Sequence, residues 1–114
     1  MRSSPNRVVG LVVGAGFIVL GVIGFFVNPL FTVSVNPLQN TVHLLVGATL
    51  LTCAIVGGSP RCNAITGTVL LAVGIAGLFI ISSPLNVLNV NGATNLLHFV
   101  SAACLLAVGL GARR

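Results

Sequence analysis

Four long apolar runs constrain the fold of this chain more than any other feature. They cover residues 8–27, 42–56, 64–81 and 96–110. A helix needs about 20 residues to cross the roughly 30 Å hydrocarbon core of a bilayer. Backbone polar groups in lipid must be bonded internally, so helices are the reasonable spanning form for runs of this length. The sequence predicts an all-α integral membrane protein with four spans.

Composition supports a membrane protein. The chain has 114 residues, of which 56% are hydrophobic and 4% charged, and its mean hydropathy is +1.17. A soluble domain carries about a quarter charged residues. We expect one four-span domain over residues 1–114. Because a nucleic-acid surface needs an exposed basic face, we expect no nucleic-acid partner, and we expect membrane lipids around the helices.

A polar motif occurs twice, at a fixed shift of 55 residues. Its members are Asn36, Asn40 and His43 in the first copy and Asn91, Asn95 and His98 in the second. Residues 29–54 and 84–109 share nine identities in this register, where about two or three would arise by chance. This repeat predicts a four-helix bundle of two tandem helical hairpins, repeat 1 at about 8–56 and repeat 2 at about 64–110. Both copies then cross the membrane in the same direction, as parallel repeats do.

The second and fourth helices have recognisable starts. Asn36 is placed to act as an N-cap with Pro37 at the first helical position, and Asn91 followed by Gly92 occupies the same place in the second copy. Asn is a favoured N-cap, and proline is tolerated where its missing N–H is not needed. We therefore predict that these helices begin at Pro37 and Gly92.

Arginine alone predicts the orientation, since the chain has no lysine. The five arginines are Arg2, Arg7, Arg61, Arg113 and Arg114. In a four-span protein all five lie on one side, with Arg61 in the inner loop, and the positive-inside rule makes that side cytoplasmic. Both termini are then cytoplasmic, and the loops 28–35 and 82–90 face outward. The first run is too long for a signal-peptide core and lacks a small-x-small cleavage site after it, so we expect a mature helix.

The repeated Asn and His residues fall on one face of each helix, at i, i+4 and i+7. Polar side chains are unfavourable in lipid, so this face is expected to point into the bundle as a structural polar network between helices. Two alternatives stay open. His43 and His98 lie at matched depth and suit axial ligands of a b-type haem, although every arginine lies at the opposite end from them. The same pair suits an external pH sensor, because imidazole gains charge on mild acidification. We expect no cofactor.

Glycines form a second pattern. They cluster on one face of the first span at Gly10, Gly14, Gly21 and Gly24, and on one face of the third span at Gly67, Gly74 and Gly77. Small faces let helix backbones approach closely in lipid. The favoured interpretation is helix packing within the chain, and the alternative is a seam between two copies.

The chain lacks Asp and Glu, which removes carboxylate acid–base catalysis, carboxylate metal ligands and carboxylate proton relays. We expect no enzyme. Cys53 and Cys104 fall within helices, and Cys62 is predicted in the inner loop. Without a C-x-x-C spacing or an outward position they are interpreted as small apolar residues, with no disulfide and no metal.

The segment at residues 40–47, Asn-x-x-His-Leu-x-x-Gly, resembles the family of small bacterial membrane proteins called domain of unknown function 4383. Asn95-Leu-Leu-His98, the arginine-flanked termini and the glycine-rich first span extend the similarity over nearly the whole chain. The resemblance implies a four-span protein of actinobacteria or related groups, with no established activity. The chain departs from the pattern in having Ala102 where the first copy has Gly47.

These observations together predict a small accessory or interaction subunit of the bacterial inner membrane, in contact with other membrane proteins or with itself. The runner-up is a histidine-dependent haem, redox or pH-sensing protein. A passive pore is less favoured, since the inner halves of the second and fourth spans offer only Thr52 and Cys53 beyond apolar side chains.

Overall fold

A computed structural model describes residues 4–27, 36–57, 59–86 and 90–111. Its helices are α1 Pro5–Gly24, α2 Pro37–Val56, α3 Ser59–Ile80 and α4 Gly92–Leu106, and α4 continues as a π-helical turn, Ala107–Gly111. No strand occurs in these ranges. Each of the four helices, α4 together with its π-helical turn, is long and apolar enough to cross a membrane. The prediction of an all-α protein with four spans is confirmed.

Local sequence determines where the helices begin. The Asn36 side chain accepts a hydrogen bond from the backbone N–H of Gln39, 2.8 Å long, and Asn91 accepts the equivalent bond from Thr94, also 2.8 Å long. Both N-cap predictions are confirmed. Ser4 caps α1 in the same way by accepting from the N–H of Arg7, which starts α1 three residues earlier than its apolar run.

The connection between α2 and α3 is shorter than the sequence suggested. Gly57 ends α2 with a left-handed φ of 94°, a conformation that costs glycine little because it has no Cβ. The next helix begins at Ser59. Arg61 and Cys62, predicted in an inner loop, therefore lie in the first turn of α3. Pro60 suits this position, because a helix start leaves its N–H groups unbonded.

Close contacts between glycine and backbone hold α1 against α2. A Cβ added to Gly47 would lie 2.6 Å from the carbonyl oxygen of Gly14, and one added to Gly14 would lie 3.1 Å from the Gly47 oxygen. In the second hairpin Ala102 replaces Gly47, and Gly67 packs instead against Leu105 and Leu106. The helices of the first hairpin therefore meet through backbone at a point where the second hairpin has a methyl group.

Other contacts recur between the two hairpins. Two glycines on α1 and two on α3 lie against residues of the partner helix, and the pairs are Gly21 with Leu44, Gly24 with Asn40, Gly74 with Phe99 and Gly77 with Asn95. The glycines of the first hairpin lie 53 positions before those of the second. The residues that they contact on α2 lie 55 positions before the equivalent residues on α4. This recurrence supports the duplication, which stays a prediction from sequence.

Apolar residues fill the middle of the bundle, and polar residues are buried towards both ends. The central cluster consists of Phe17, Leu50, Leu70, Ala102 and Leu105. Towards the ends of α2 and α4 that begin at Pro37 and Gly92 lie the buried His43 and His98, and Asn6 and Asn63 are buried at the opposite end. The polar groups are therefore held in two separate places, divided by the apolar cluster.

Candidate functional site

The two repeated histidines meet in the interior of the bundle. His43 on α2 is 1% exposed and His98 on α4 is 3% exposed. Their ring centroids are 6.1 Å apart and the ring planes are inclined by 63°. Phe17 of α1 packs on the other side, with its centroid 5.2 Å from that of His43. Three helices thus contribute aromatic rings to one contact, which we call the histidine pair.

Most of the nitrogen atoms of the histidine pair have no hydrogen-bond partner. Neither Nδ1 nor Nε2 of His43 is bonded, and Nδ1 of His98 is also unbonded. A buried polar atom without a partner costs about 1–3 kcal/mol. The histidine pair therefore does not hold the helices together by the amide–imidazole bonds that were predicted, and its contact is one between rings.

The asparagines of the repeated motif have separate roles. Asn95 donates from Nδ2 to the carbonyl oxygen of Gly74 at 2.9 Å, which joins α4 to α3. Asn40 is buried against Gly24, yet its amide oxygen and nitrogen have no partner. Asn36 and Asn91 serve as N-caps. Of the six predicted network residues, Asn95 joins two helices through its side chain.

The predicted packing glycines all face inward. Gly10, Gly14, Gly21 and Gly24 are buried on α1. Added Cβ atoms at these positions and at Gly67, Gly74 and Gly77 would all meet residues of this same chain within 4 Å. In the structure these glycines therefore lie at helix contacts within the chain.

Sequence reasoning missed a second polar contact, at the opposite end of the bundle. Asn63 of α3 donates from Nδ2 to the backbone oxygen of Asn6 at 2.9 Å and to its side-chain oxygen at 3.1 Å. Both residues are fully buried. The signal available was the general tendency of amide side chains in a span to face inward. This bond joins α1 of the first hairpin to α3 of the second.

The cysteines also differ from expectation. Cys53 and Cys62 are joined as a disulfide, with Cα atoms 6.3 Å apart, whereas no disulfide was predicted. The prediction failed because Cys62 lies on the first turn of α3, where it faces the last turn of α2. Cys104 is free and exposed.

Histidine and cysteine are the candidate metal and haem ligands in the described parts of the chain. No group of three or more His, Cys, Asp or Glu residues comes together there. The rings of His43 and His98 lie in direct contact, and Phe17 covers His43. A flat macrocycle between the imidazoles would require α2 and α4 to move apart, so the observed geometry does not fit bis-histidine haem ligation.

The outer surface of the helices carries many large apolar side chains. Large hydrophobic side chains are exposed on every helix, among them Val12, Leu45, Leu78 and Leu96. Exposed threonines such as Thr41 and Thr68 bond their hydroxyls to carbonyl oxygens four residues earlier in their own helix, at 2.8 Å. Such bonds satisfy a hydroxyl without water. The surface therefore suits a hydrocarbon environment.

Comparison with known proteins identifies the chain at the level of family. No curated protein and no solved structure matches it. One family described by its sequence profile matches residues 7–111, which is nearly the whole chain and includes the four helices apart from the first two residues of α1. The chain belongs to the family described as Domain of unknown function (DUF4383).

Proposed function

We propose that this protein is a non-catalytic interaction subunit of the bacterial inner membrane, made of two tandem copies of a helical hairpin. The observation that carries the proposal is the division of its side chains. Asn, Gln and His side chains such as Asn40, His43 and Asn95 are buried, whereas large apolar side chains are exposed along every helix. Such a surface can contact lipid and other transmembrane helices.

Two further features support a non-catalytic role. The chain contains no carboxylate side chain, so acid–base chemistry would fall to the histidines. Both are covered by neighbouring side chains, and below them the bundle is filled by Phe17, Leu50 and Leu105. Within the described residues, a solute would meet no continuous polar path between the two ends.

The orientation forms part of the proposal. Arg7 and Arg61 lie at the same end, because the bond between Asn63 and Asn6 brings the starts of α1 and α3 together. The positive-inside rule then places this end in the cytoplasm. A reporter that is active only in the cytoplasm, fused to either terminus, is expected to be active. Activity of a periplasm-specific reporter at those termini would contradict the orientation.

Site-specific photo-crosslinking tests the interaction role. A photoreactive amino acid is placed at one strongly exposed position on each helix, which are Val12 on α1, Leu45 on α2, Leu78 on α3 and Leu96 on α4, exposed by 63–66%. An interaction subunit is expected to give a protein adduct of defined mass from one or two helices and lipid adducts from the others. A mass equal to two copies would identify self-association. Lipid adducts alone from all four positions, with fully buried Leu50 as the unreactive control, would contradict the proposal.

A second candidate is favoured by the histidine pair itself. The two imidazoles are in contact, and three of their nitrogens have no hydrogen-bond partner, which lowers the stability of the fold. Such an arrangement is expected to persist where protonation of the imidazoles has a function. Two charged rings at 6.1 Å would repel each other, and the described arginines Arg7 and Arg61 lie at the far end of the bundle. In this candidate, acid on the outer side loosens the outer ends of α2 and α4.

Hydrogen–deuterium exchange in detergent separates this candidate from a purely structural pair. If the pair senses pH, the first turns of α2 and α4 exchange faster at pH 4 than at pH 7 in the wild type, after correction for the intrinsic rate, and not in His43→Leu. Equal protection at both pH values in the wild type would remove the pH-sensing candidate and leave the interaction role untouched.

A further inference from the structure

Two cysteines join the hairpins next to the α2–α3 connection. Cys53 lies on the last turns of α2 and Cys62 on the first turn of α3. Their Cα atoms are 6.3 Å apart, within the range that a disulfide spans without movement of the backbone. The bond links residues nine positions apart in sequence. It is a covalent connection between the first hairpin and the second.

The location of this bond conflicts with a permanent disulfide. Arg61 immediately precedes Cys62, and Arg7 lies at the same end of the bundle. Under the orientation proposed above, this end faces the cytoplasm, where thiol systems keep cysteines reduced. The two sulfurs can bond without movement of the backbone, but they lie in a reducing compartment. We therefore expect the disulfide to form only when an oxidant is present.

We propose that Cys53 and Cys62 are a reversible dithiol–disulfide site at the cytoplasmic end of the bundle, oxidised by small-molecule disulfides. This inference rests on the proposed orientation. It adds a modification site that neither the apolar surface nor the histidine pair explains.

The surroundings of the pair suit thiol chemistry. Both cysteines are half-buried and line a surface groove together with Thr49, Arg61 and Thr66. The groove makes the sulfurs reachable, and the exposed Arg61 adds a positive charge beside Cys62. The attacking species in thiol–disulfide exchange is the thiolate, which a nearby arginine and a helix N-terminus both stabilise. Cys62 has both features, and it is assigned the first attack.

The exchange balances in two steps. The Cys62 thiolate attacks one sulfur of the oxidant, a bond forms between Cys62 and that sulfur, and the other half of the oxidant leaves as a thiolate. Cys53, after losing its proton, then attacks the Cys62 sulfur and releases the second half as a thiolate. The protein loses two protons and two electrons, and the oxidant becomes two thiols. A cytoplasmic dithiol reductant reverses the sequence.

Sided membrane vesicles test the site with oxidised glutathione, which is charged and does not cross the bilayer. Vesicles carrying the full chain are reduced, washed, exposed to the reagent and treated with N-ethylmaleimide. They are then reduced again and labelled with a polyethylene-glycol maleimide that shifts the band for each thiol released. Inside-out vesicles are expected to gain two labels per chain, and sealed right-side-out vesicles none. Cells quenched in acid during growth without oxidant are expected to give none.

Matched variants identify the residues. Cys104→Ser is expected to keep both labels, because Cys104 lies apart from the pair and is free. Cys53→Ser is expected to give one label, since the mixed disulfide on Cys62 has no second thiol to resolve it. Cys62→Ser is expected to give none, because Cys53 reacts second. Each substitution exchanges one sulfur atom for oxygen and is expected to leave the fold intact. The control is that each variant gives an amount of folded protein in the membrane similar to that of the wild type.

Three results would overturn the proposal, and they can be told apart. No labels in either type of vesicle would show that the pair does not exchange. Two labels from quenched, untreated cells would show a permanent disulfide. Two labels from right-side-out vesicles alone would show an active pair on the outer side, which would overturn the proposed orientation and the cytoplasmic assignment of the site together.

Discussion

His43 and His98 touch across the interior of the bundle, with ring centroids 6.1 Å apart. The nitrogens that would normally justify two histidines in a membrane span, Nδ1 and Nε2 of His43 and Nδ1 of His98, bond to nothing. Apolar side chains of similar size would fill the same space without this cost. The contact therefore lowers stability relative to an apolar core, and this property can be measured.

Replacing His43 with leucine is expected to stabilise the bundle. His43→Leu removes two buried atoms without partners and keeps a side chain of comparable size, so the free energy of unfolding is expected to rise by about 1 kcal/mol. The measurement is the midpoint of thermal unfolding in detergent, followed by circular dichroism at the helix band.

Asn95→Leu is the matched control, because Asn95 makes a 2.9 Å bond to the carbonyl oxygen of Gly74 that leucine would lose. Leucine also removes one buried atom without a partner, Oδ1 of Asn95, against two at His43, so we expect the midpoint of Asn95→Leu to lie below that of His43→Leu. A lower midpoint for His43→Leu than for Asn95→Leu would contradict the prediction. It would indicate that a water or an ion bonds to the histidine pair.

Adding a methyl group to Gly47 is expected to separate α1 from α2. A Cβ there would lie 2.6 Å from the Gly14 carbonyl oxygen and 2.9 Å from the backbone nitrogen of Ile18. Neither backbone atom moves without the whole helix. Gly47→Ala is therefore expected to lower the free energy of unfolding by about 1–3 kcal/mol, the usual cost of overpacking, read from the same thermal midpoint.

Gly16→Ala is the control on the same helix as Gly14. A Cβ at Gly16 would meet nothing within 4 Å, and alanine favours helix over glycine by about 0.5–1 kcal/mol. We expect a neutral or slightly raised midpoint. Equal losses for both variants would show that the close approach of Gly47 to Gly14 does not carry the packing.

Local signals account for the part of the fold that sequence predicted. Asn36 followed by Pro37, and Asn91 followed by Gly92, place the N-caps because capping depends on neighbouring residues alone. The four spans follow from run length. Both kinds of signal can be recognised without knowing which helices lie together, so these predictions agree with the structure.

The remaining features depend on packing, which no local signal carries. That Asn63 meets Asn6 depends on how one hairpin sits against the other. That Cys53 meets Cys62 depends on an α3 start a few residues earlier than its apolar run. The expected imidazole–amide bonds depend on hydrogen-bond angles, which the spacing of residues along a helix does not determine. His43, for example, lies at the predicted place without the predicted bonds.

The contact between the hairpins at the arginine-bearing end is expected to depend on Asn63 more than on Asn6. Asn63 donates to both the backbone and the side-chain oxygen of Asn6. Asn63→Ala removes both bonds, and Asn6→Ala keeps the shorter one to the backbone. We expect a loss of about 1 kcal/mol for Asn63→Ala and a smaller loss for Asn6→Ala. Thermal midpoints of the two variants, measured side by side, give the order, and the reverse order would contradict the bonding described.

The N-cap of α2 gives the last prediction. The Asn36 side chain accepts from the N–H of Gln39 at 2.8 Å, so Asn36→Ala is expected to cost about 1 kcal/mol and to speed hydrogen exchange in the first turn of α2. Asn36→Asp keeps the acceptor and places a negative charge at a helix N-terminus, where it is favourable. We expect it to match or exceed the wild type in thermal midpoint. If alanine and aspartate lowered the midpoint equally, the cap would not be what holds the start of α2, and its position would have to follow from packing against α1.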